Sequence, residues 1–490
     1  MELFSCLFFQ GQTRSILFSL GMVMAPSLTG AQDKTLKPDT PNILFIAVDD
    51  LRPELGCYGQ THIVSPNIDR LALEGSVFLK NYCQYALCGP SRASILTGMR
   101  PDALKIWNNK IHIRETVPDI ITLPQHFKEH GYYTVSYGKI FHNKVMDDSL
   151  SWSEPGLAVE SFHFEDYNNS NTLAMFEKMG EKHEGNNIVG TPTDSANVPD
   201  NAYSDGQFTD MAIQTMKMLK SSRNPFFLAV GFVRPHLPFN CPKKYWDLYD
   251  PEQIPLSENS VLPAYFPDIP VYNSNWMRHY IGMPKEGPFS DSLSNHLNHA
   301  YSACVSFVDF QVGRLLEALH EFGLEENTIV VLWGDHGYLL NDHGIYGKHS
   351  NFEKAVHSPL IIRLPCSCGN QRIDKLTEFV DVYPSLCELS GLPVPDHLQG
   401  KSFVPLLKNP DQEWKQAAFS QYQSGEHTGY SLRTNRYRYT KWINRRTGDT
   451  SGLELYDYHK DPNEERNLAA SDSHQSIAYK LSKMLNVESN

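Results

Sequence analysis

Four apolar runs of strand length, each followed at once by polar residues, constrain the fold of this chain more than any other feature. Unbroken apolar runs of this length are typical of strands that are buried on both faces. Helical patterns separate the runs, so the alternation predicts an α/β fold: a sheet with helices on both faces and polar residues at the carboxyl ends of its strands. The runs are Pro41–Val48, Thr134–Tyr137, Phe226–Val233 and Thr328–Trp333.

The predicted helices between these runs are each closed by a glycine, a residue that accepts the left-handed conformation common at helix ends. These helices cover Asn67–Glu74, Leu123–Glu129 and Ala303–Phe322. Residues 146–200 and 250–290 are rich in Pro, Ser, Asp and Asn, so we expect long surface loops there that rim a pocket.

The C-terminal part of the chain has a different pattern, in which aromatic residues alternate with polar ones. Tyr430–Trp442 and Leu453–Asp457 show this alternation, which predicts antiparallel strands. An amphipathic helix is expected over Ser473–Leu485. We therefore predict a large domain over residues 36–410 and a smaller one over residues 411–490.

The overall charge and the N-terminus indicate an exported protein that does not bind nucleic acid. The net charge of −13 and the pI near 5.8 argue against phosphate-backbone binding, which relies on clusters of Lys and Arg. The apolar run Ile16–Pro26 follows Arg14 and precedes small residues, so residues 1–31 are interpreted as a signal peptide. The run is shorter than the ~20 residues of a bilayer span. We expect a periplasmic or secreted protein, or a lysosomal one in a eukaryote, with no membrane span in the mature chain.

The cysteine count does not indicate a disulfide scaffold. Nine cysteines in 490 residues, one of them Cys6 in the predicted signal peptide, are too few for a framework of bridges. Cys366 and Cys368 have the spacing of a chelating pair, but no second pair accompanies them, so a loop is the favoured interpretation.

The segment Cys88–Gly98, Cys-Gly-Pro-Ser-Arg-Ala-Ser-Ile-Leu-Thr-Gly, is the most specific motif in the chain. Pro90 suits the first turn of a helix and Gly98 suits its end. Cys88 is then expected at a helix N-terminus, where the partial positive charge favours an anion. The simpler alternative is a structural cysteine in front of an ordinary helix.

Two polar pairs at predicted strand ends are candidate metal ligands. Asp49 and Asp50 follow the first apolar run, and Asp335 and His336 follow the last. Adjacent carboxylates repel one another when they are buried, unless a cation neutralises them, and a hard divalent ion does so. Taken alone, a pair such as Asp49 and Asp50 is more often a solvated turn or a helix cap, and Asp335 and His336 fit a turn with an incidental histidine.

The Cys88 segment resembles the signature of the formylglycine-dependent sulfatases at every defining position, and the chain looks closest to the iduronate sulfatases among them. Gly138–His142, Pro235–Phe239 and Lys348–Phe352 carry this second resemblance. It implies an alkaline-phosphatase-like fold, with a large mixed sheet between helices and a small C-terminal α+β domain. It also implies hydrolysis of sulfuric esters by formylglycine, which a formylglycine-generating or sulfatase-maturating enzyme forms from Cys88.

The resemblance further implies a calcium site and a set of sulfate-binding residues. His336 stands where most sulfatases have asparagine, which leaves the identity of the divalent ion open. Around the sulfate, the family places basic groups that hold its oxygens, contact the nucleophile and protonate the leaving oxygen. The implied metal ligands are Asp49, Asp50, Cys88, Asp335 and His336. The implied catalytic residues are Cys88, Arg92, Lys139, His142, His236 and Lys348.

The implied substrate is a 2-O-sulfated uronic acid within a polysaccharide or its oligosaccharides. Two other functions stay open at this point. A phosphomonoester or phosphonate hydrolase uses the same kind of metal-assisted displacement on a tetrahedral ester. A non-catalytic protein that binds sulfated glycans needs the charges of the site without the modified cysteine.

Overall fold

The computed structural model describes residues 40–158, 166–179, 190–222, 224–365 and 369–488. Its strands in chain order are β1 (Asn42–Val48), β2 (Ser76–Tyr82), β3 (Tyr133–Gly138), β4 (Leu157–Ala158), β5 (Thr193–Ala196), β6 (Phe226–Phe232), β7 (Phe239–Pro242), β8 (Thr328–Gly334), β9 (Leu339–Asp342), β10 (Ile345–Gly347), β11 (Leu360–Arg363), β12 (Gln371–Glu378), β13 (Ala418–Ser424), β14 (His427–Arg433), β15 (Tyr437–Asn444) and β16 (Thr450–Asp457).

The α-helices lie mostly between the strands of the first 410 residues. They are α1 (Pro66–Glu74), α2 (Cys88–Thr97), α3 (Pro101–Leu104), α4 (Ile113–Thr116), α5 (Leu123–Glu129), α6 (Ser170–Met179), α7 (Ser204–Leu219), α8 (Lys243–Trp246), α9 (Asn275–His279), α10 (Asp291–Glu321), α11 (Glu353–Val356), α12 (Val382–Leu389), α13 (Val404–Lys408) and α14 (Gln475–Glu488).

A mixed eight-stranded sheet with the order β12-β2-β11-β8-β1-β6-β3-β4 forms the centre of the fold. The strands from β8 to β4 are parallel, whereas β11 runs antiparallel to both of its neighbours. In the register of the central strands, Val48 of β1 pairs with Gly334 of β8 and with Phe232 of β6. The carboxyl ends of these three strands are therefore level, and the residues that follow them lie side by side.

Helices cover both faces of the sheet, as the alternation in the sequence predicts. Every residue of β1 is buried, and successive side chains point into two separate apolar clusters. Ile46 lies in the cluster that contains residues of α1, α7 and α10, and Phe45 in the cluster that contains residues of α2, α5 and α12. A strand that is apolar on both faces is thus explained by two helical layers.

The predicted start of one helix is wrong, and both regions predicted as loops contain helices. Helix α10 begins at Asp291 rather than at Ala303, and its first turns carry polar side chains that bond to a neighbouring loop as well as buried residues such as Leu297 and Tyr301. Asn298 Nδ2, for example, donates to the carbonyl oxygen of Pro255 over 3.1 Å. The region 146–200, predicted as loop, contains the helix α6 and the short strands β4 and β5, and the region 250–290 contains the short helix α9.

The C-terminal part contains the predicted antiparallel sheet and helix. Strands β13 to β16 pair in sequence order, and α14 packs against them through a cluster that includes Leu432, Leu455 and Leu481. The sheet is also tied to the earlier part of the chain, since Ser420 Oγ donates to the carbonyl oxygen of Cys83 over 2.6 Å. The domain boundary at residue 410 stays a prediction.

Several sequence predictions fall on parts of the chain outside the described residues. The signal peptide over residues 1–31 is among them, as are Cys366 and Cys368. Within the described part, no helix has the length and apolar character that crossing a membrane requires. The described cysteines, which are Cys57, Cys83, Cys88, Cys241, Cys304 and Cys387, all have free thiols.

Candidate active site

The acidic residues after β1 and β8 meet at the carboxyl edge of the sheet. The backbone N–H of Asp335 donates to the carbonyl oxygen of Val48 over 3.1 Å, which continues the ladder between the two strands. Asp335 Oδ1 then accepts the backbone N–H of Asp50 at 3.0 Å. Asp50 has a φ of 58°, so the chain turns sharply here and brings its carboxylate beside that of Asp49. All three carboxylates are buried.

Cys88 is the first residue of α2 and points into the same cluster. The helix therefore begins two residues before Pro90, and it ends at Gly98, whose φ is 66°. Cys88 is 1% exposed, and its Sγ lies 3.3 Å from His336 Nε2. The hydroxyl of Ser91, one turn further along α2, donates to the carbonyl oxygen of Asp335 and fixes the helix against the strand end.

The residues present fit a divalent cation. One ligand atom each from Asp49, Asp50, Cys88 and His336 lies within 4.8 Å of the others. Asp49 Oδ1 is buried and has no hydrogen-bond partner among the described residues. His336 Nδ1 lies 2.9 Å from the carbonyl oxygen of Gly337 and donates to it, which leaves the lone pair of Nε2 to face the cluster. Two carboxylates and an imidazole held in this way can bind a metal ion.

Asp335 lies beside this group rather than within it, and Arg92 holds it there. Arg92 Nε donates to Asp335 Oδ2 over 2.9 Å. The same guanidinium donates to the carbonyl oxygens of Lys139 and Ile140, and its Nη2 lies 3.5 Å from Asp49 Oδ1. Arg92 is fully buried and connects three strand ends, so its contacts fix the positions of the acids. The prediction that Asp335 is itself a metal ligand stays a prediction.

The remaining basic residues surround the cluster from two sides. Lys139, which follows β3, pairs with Asp49, and His142 lies three residues further on. Lys348 Nζ contacts Asp50 Oδ1 at 2.6 Å, and His236 Nε2 lies 4.0 Å from Asp50 Oδ2.

The charges of the cluster shift the pKa values of its ionisable groups in both directions. Burial alone would raise the pKa of Asp49, but the charges of Lys139, His236 and Arg92 hold it well below its usual value. Burial and the neighbouring Asp49 raise the pKa of Asp335 to about 7. Burial lowers the pKa of His336, yet Asp335 and Cys88 more than offset this and raise it to about 9. Asp49 therefore stays ionised, whereas Asp335 and His336 bind a proton more readily than such groups usually do.

A cavity of about 460 Å³ opens onto Cys88 and the basic residues. Four further lining residues carried no recognisable signal in the sequence, because they do not belong to a motif. They are Asn109, Tyr272, Trp276 and Tyr338, whereas His349 lies in the segment Lys348–Phe352 that carries the resemblance. Tyr272 and Trp276 come from the segment 250–290, in agreement with its predicted place at the rim. None of the described residues of 146–200 lines this cavity.

A buried thiol at a helix N-terminus, an acidic cluster that fits a metal ion and a ring of basic side chains define a metal-assisted hydrolase of anionic esters. The comparison with known families is more specific. The model of the family described as "Sulfatase" matches residues 41–392, and that of "N-sulphoglucosamine sulphohydrolase, C-terminal" matches residues 341–490. The chain belongs to the sulfatase family and is a sulfuric ester hydrolase, which confirms the resemblance found in the sequence.

Relatives and solved structures agree with this assignment. Iduronate 2-sulfatase of Homo sapiens is 34% identical to the chain, with 92% of this chain and 96% of the relative covered. A phosphonate monoester hydrolase from Silicibacter pomeroyi superposes with a TM-score of 0.72 at 22% identity, over 91% of this chain and 94% of that one. A structure described as a 2-O GAG sulfatase gives a TM-score of 0.69 at 24% identity, with 91% of each chain covered. At these identities the two structures establish the alkaline-phosphatase-like fold alone.

Proposed function

We propose that this enzyme removes the sulfate ester from a 2-O-sulfated uronic acid in a polysaccharide or its oligosaccharides. The observation that carries the proposal is the 34% identity to human iduronate 2-sulfatase over 92% of this chain, together with the cluster around Cys88. The cavity of about 460 Å³ has room for a sugar unit as well as the sulfate.

The proposed cofactors are formylglycine at Cys88 and one divalent metal ion, most simply Ca²⁺. Asp49, Asp50 and His336 would hold the ion together with the modified Cys88, and Asp335 is the fifth proposed ligand. When both groups are present, they supply an activated hydroxyl nucleophile and a Lewis acid that stabilises negative charge on the sulfate.

The protein's own side chains bind and orient the ester. Lys139 and His142, on the Asp49 side, would hold the nucleophilic group and one sulfate oxygen. Lys348 and His236, on the Asp50 side, would bind the other oxygens and donate a proton to the leaving alkoxide. Donors on both sides of the sulfate fix the sulfur in line with the nucleophile, which lowers the entropic part of the barrier.

We also propose that the protein is exported through the N-terminal signal peptide and works in a periplasm, outside the cell or in a lysosomal lumen. Its modified cysteine requires a formylglycine-generating or sulfatase-maturating enzyme in the host. Mass spectrometry of the peptide that contains Cys88, purified from the native host, tests this: an aldehyde is expected, and an unmodified thiol in all molecules would contradict it.

A release assay on a set of defined sulfated disaccharides tests the substrate. We expect sulfate release from a disaccharide with a 2-O-sulfated uronic acid, and little release from the 6-O-sulfated or N-sulfated isomers. The variant Cys88→Ala, whose methyl side chain cannot become formylglycine, should give no steady turnover. Release from every isomer at equal rates would disprove the positional specificity. Faster hydrolysis of an aryl phosphonate than of any sulfate ester would instead point to phosphonate hydrolysis.

A further inference from the structure

One wall of the catalytic cavity is built from stacked aromatic rings. The rings of Tyr272 and His349 lie 4.0 Å apart at an interplanar angle of 24°, and Tyr422 of β13 contacts His349 edge-on at 6.2 Å. Further inside the cavity, Tyr338 stacks on Tyr301 with ring centroids 5.9 Å apart. Packing on both sides holds these rings in place, so the wall has a fixed shape.

Two polar atoms of this wall lack a partner in the protein. Tyr338 is 1% exposed, and its hydroxyl has no hydrogen-bond partner among the described residues. The same holds for the buried Nδ1 of His349. Buried polar atoms are nearly always paired, so two unpaired ones in the wall of a ligand cavity indicate that the partner arrives with the ligand.

The wall begins where the proposed sulfate-binding groups end. Lys348 directly precedes His349, and its ammonium lies 2.6 Å from Asp50 Oδ1 and 6.0 Å from the ring centroid of Tyr338. Trp276, which is half exposed, also lines this cavity. A sulfate held by Lys348 would therefore place the group that carries it against Tyr338 and His349.

We propose that Tyr338 and His349 recognise the saccharide part of the substrate and thereby determine which sulfate esters are hydrolysed fast. The tyrosine hydroxyl donates to a sugar oxygen, and the imidazole nitrogen pairs with a neighbouring sugar hydroxyl. A saccharide supplies several such oxygens close together, whereas a plain aryl ester supplies none beyond its sulfate. This inference rests on the proposed function, because it assumes that the ester is carried by a sugar.

The test compares two tyrosines of the same cavity that differ in one respect. The hydroxyl of Tyr346 has partners, since it lies 3.1 Å from Asn298 Oδ1 and 3.3 Å from the carbonyl oxygen of Ser294, whereas that of Tyr338 has none. Tyr338→Phe and Tyr346→Phe each remove one hydroxyl and leave the ring. Both variants are measured by thermal melting and by kcat/KM on a sulfated disaccharide and on an aryl sulfate.

We expect Tyr338→Phe to melt at no lower temperature than the enzyme without substitutions, and Tyr346→Phe to melt at a lower temperature. For Tyr338→Phe, the ratio of kcat/KM on the disaccharide to kcat/KM on the aryl sulfate should fall by about ten-fold or more. For Tyr346→Phe that ratio should change by less than about two-fold. His349→Leu should lower the ratio in the same way as Tyr338→Phe.

Two results would overturn the inference. A melting temperature of Tyr338→Phe as low as that of Tyr346→Phe would show that the hydroxyl has a partner inside the protein. Equal losses on both substrates would show that Tyr338 serves the chemistry and not the sugar. If the enzyme without substitutions cleaves aryl sulfates but no sulfated saccharide, the proposed function fails. The comparison of melting temperatures still decides whether the Tyr338 hydroxyl is unpaired.

Discussion

Replacing Lys348 with methionine should make the enzyme's stability depend more strongly on a divalent ion. The Lys348 ammonium is buried and contacts Asp50 Oδ1 at 2.6 Å. Burial lowers the pKa of this lysine, but the charge of Asp50 outweighs burial and raises it. The variant Lys348→Met keeps most of the volume and removes the charge. In the enzyme stripped of metal, Asp50 then loses its main counter-charge.

The size of the effect follows from the cost of an uncompensated buried charge. Breaking a buried ion pair by removing one partner costs roughly 3–5 kcal/mol. A folded part of about 450 residues has an unfolding entropy near 0.9 kcal/mol per kelvin, so the melting temperature should fall by about 3–5 °C. A bound divalent cation restores the missing positive charge at Asp50, so saturation with Ca²⁺ should close most of this gap.

Differential scanning calorimetry after EDTA treatment and during Ca²⁺ titration measures both quantities. The increase in melting temperature caused by Ca²⁺ should be larger in Lys348→Met than in the enzyme without substitutions. Lys354→Met is the matched control, because Lys354 pairs with Asp342 at 2.7 Å, outside the cluster. Its effect should be the same with and without Ca²⁺. If Ca²⁺ raises the melting temperature of Lys348→Met no more than that of the enzyme without substitutions, the cation does not bind at Asp50.

Three further perturbations test ion pairing, burial and packing in the fold. Arg92→Met removes the buried partner of Asp335 and should lower the free energy of unfolding by about 3–5 kcal/mol, measured by urea denaturation. Burial, followed by the charge of His130, lowers the pKa of His126 from 6.5 to about 4, so stability should fall as the pH drops from 6.5 to 4. His126→Gln should flatten that part of the stability profile, and an unchanged profile would refute the assignment. Gly231→Ala places a methyl group 2.1 Å from the carbonyl oxygen of Lys139, so it should displace that residue and lower kcat/KM about ten-fold or more, whereas full activity would contradict the packing.

The sequence was sufficient to predict those site residues that directly follow a buried strand. Asp49, Lys139 and Asp335 each lie directly after a strand whose apolar run is visible in the sequence, and parallel strands bring their carboxyl ends together. Cys88 was predictable for a different reason, since its segment carries a specific motif with its own helix start and end.

The wall of the cavity was not predictable, and the reason is physical. Tyr272 comes from a segment without periodicity, and His349 contacts Tyr422, which is 73 positions away in the chain. Pairings of this kind depend on the loop path and on the placement of the C-terminal sheet. The first turns of α10 were missed for a similar reason, because their polar side chains are satisfied by a neighbouring loop that sequence periodicity does not reveal.

Charge alone cannot explain why such a site would prefer one ester over another. The formal charges of Asp49, Asp50 and Asp335 are balanced by those of Arg92, Lys139 and Lys348, so a divalent ion leaves an excess of two positive charges. A sulfate monoester and a phosphonate monoester each bring one negative charge near neutral pH, and their tetrahedral heads have similar geometry. The cluster around Cys88 can therefore bind either head. Under the proposed function, discrimination would then depend on the wall around Tyr338 and His349, which would contact the group that carries the sulfate.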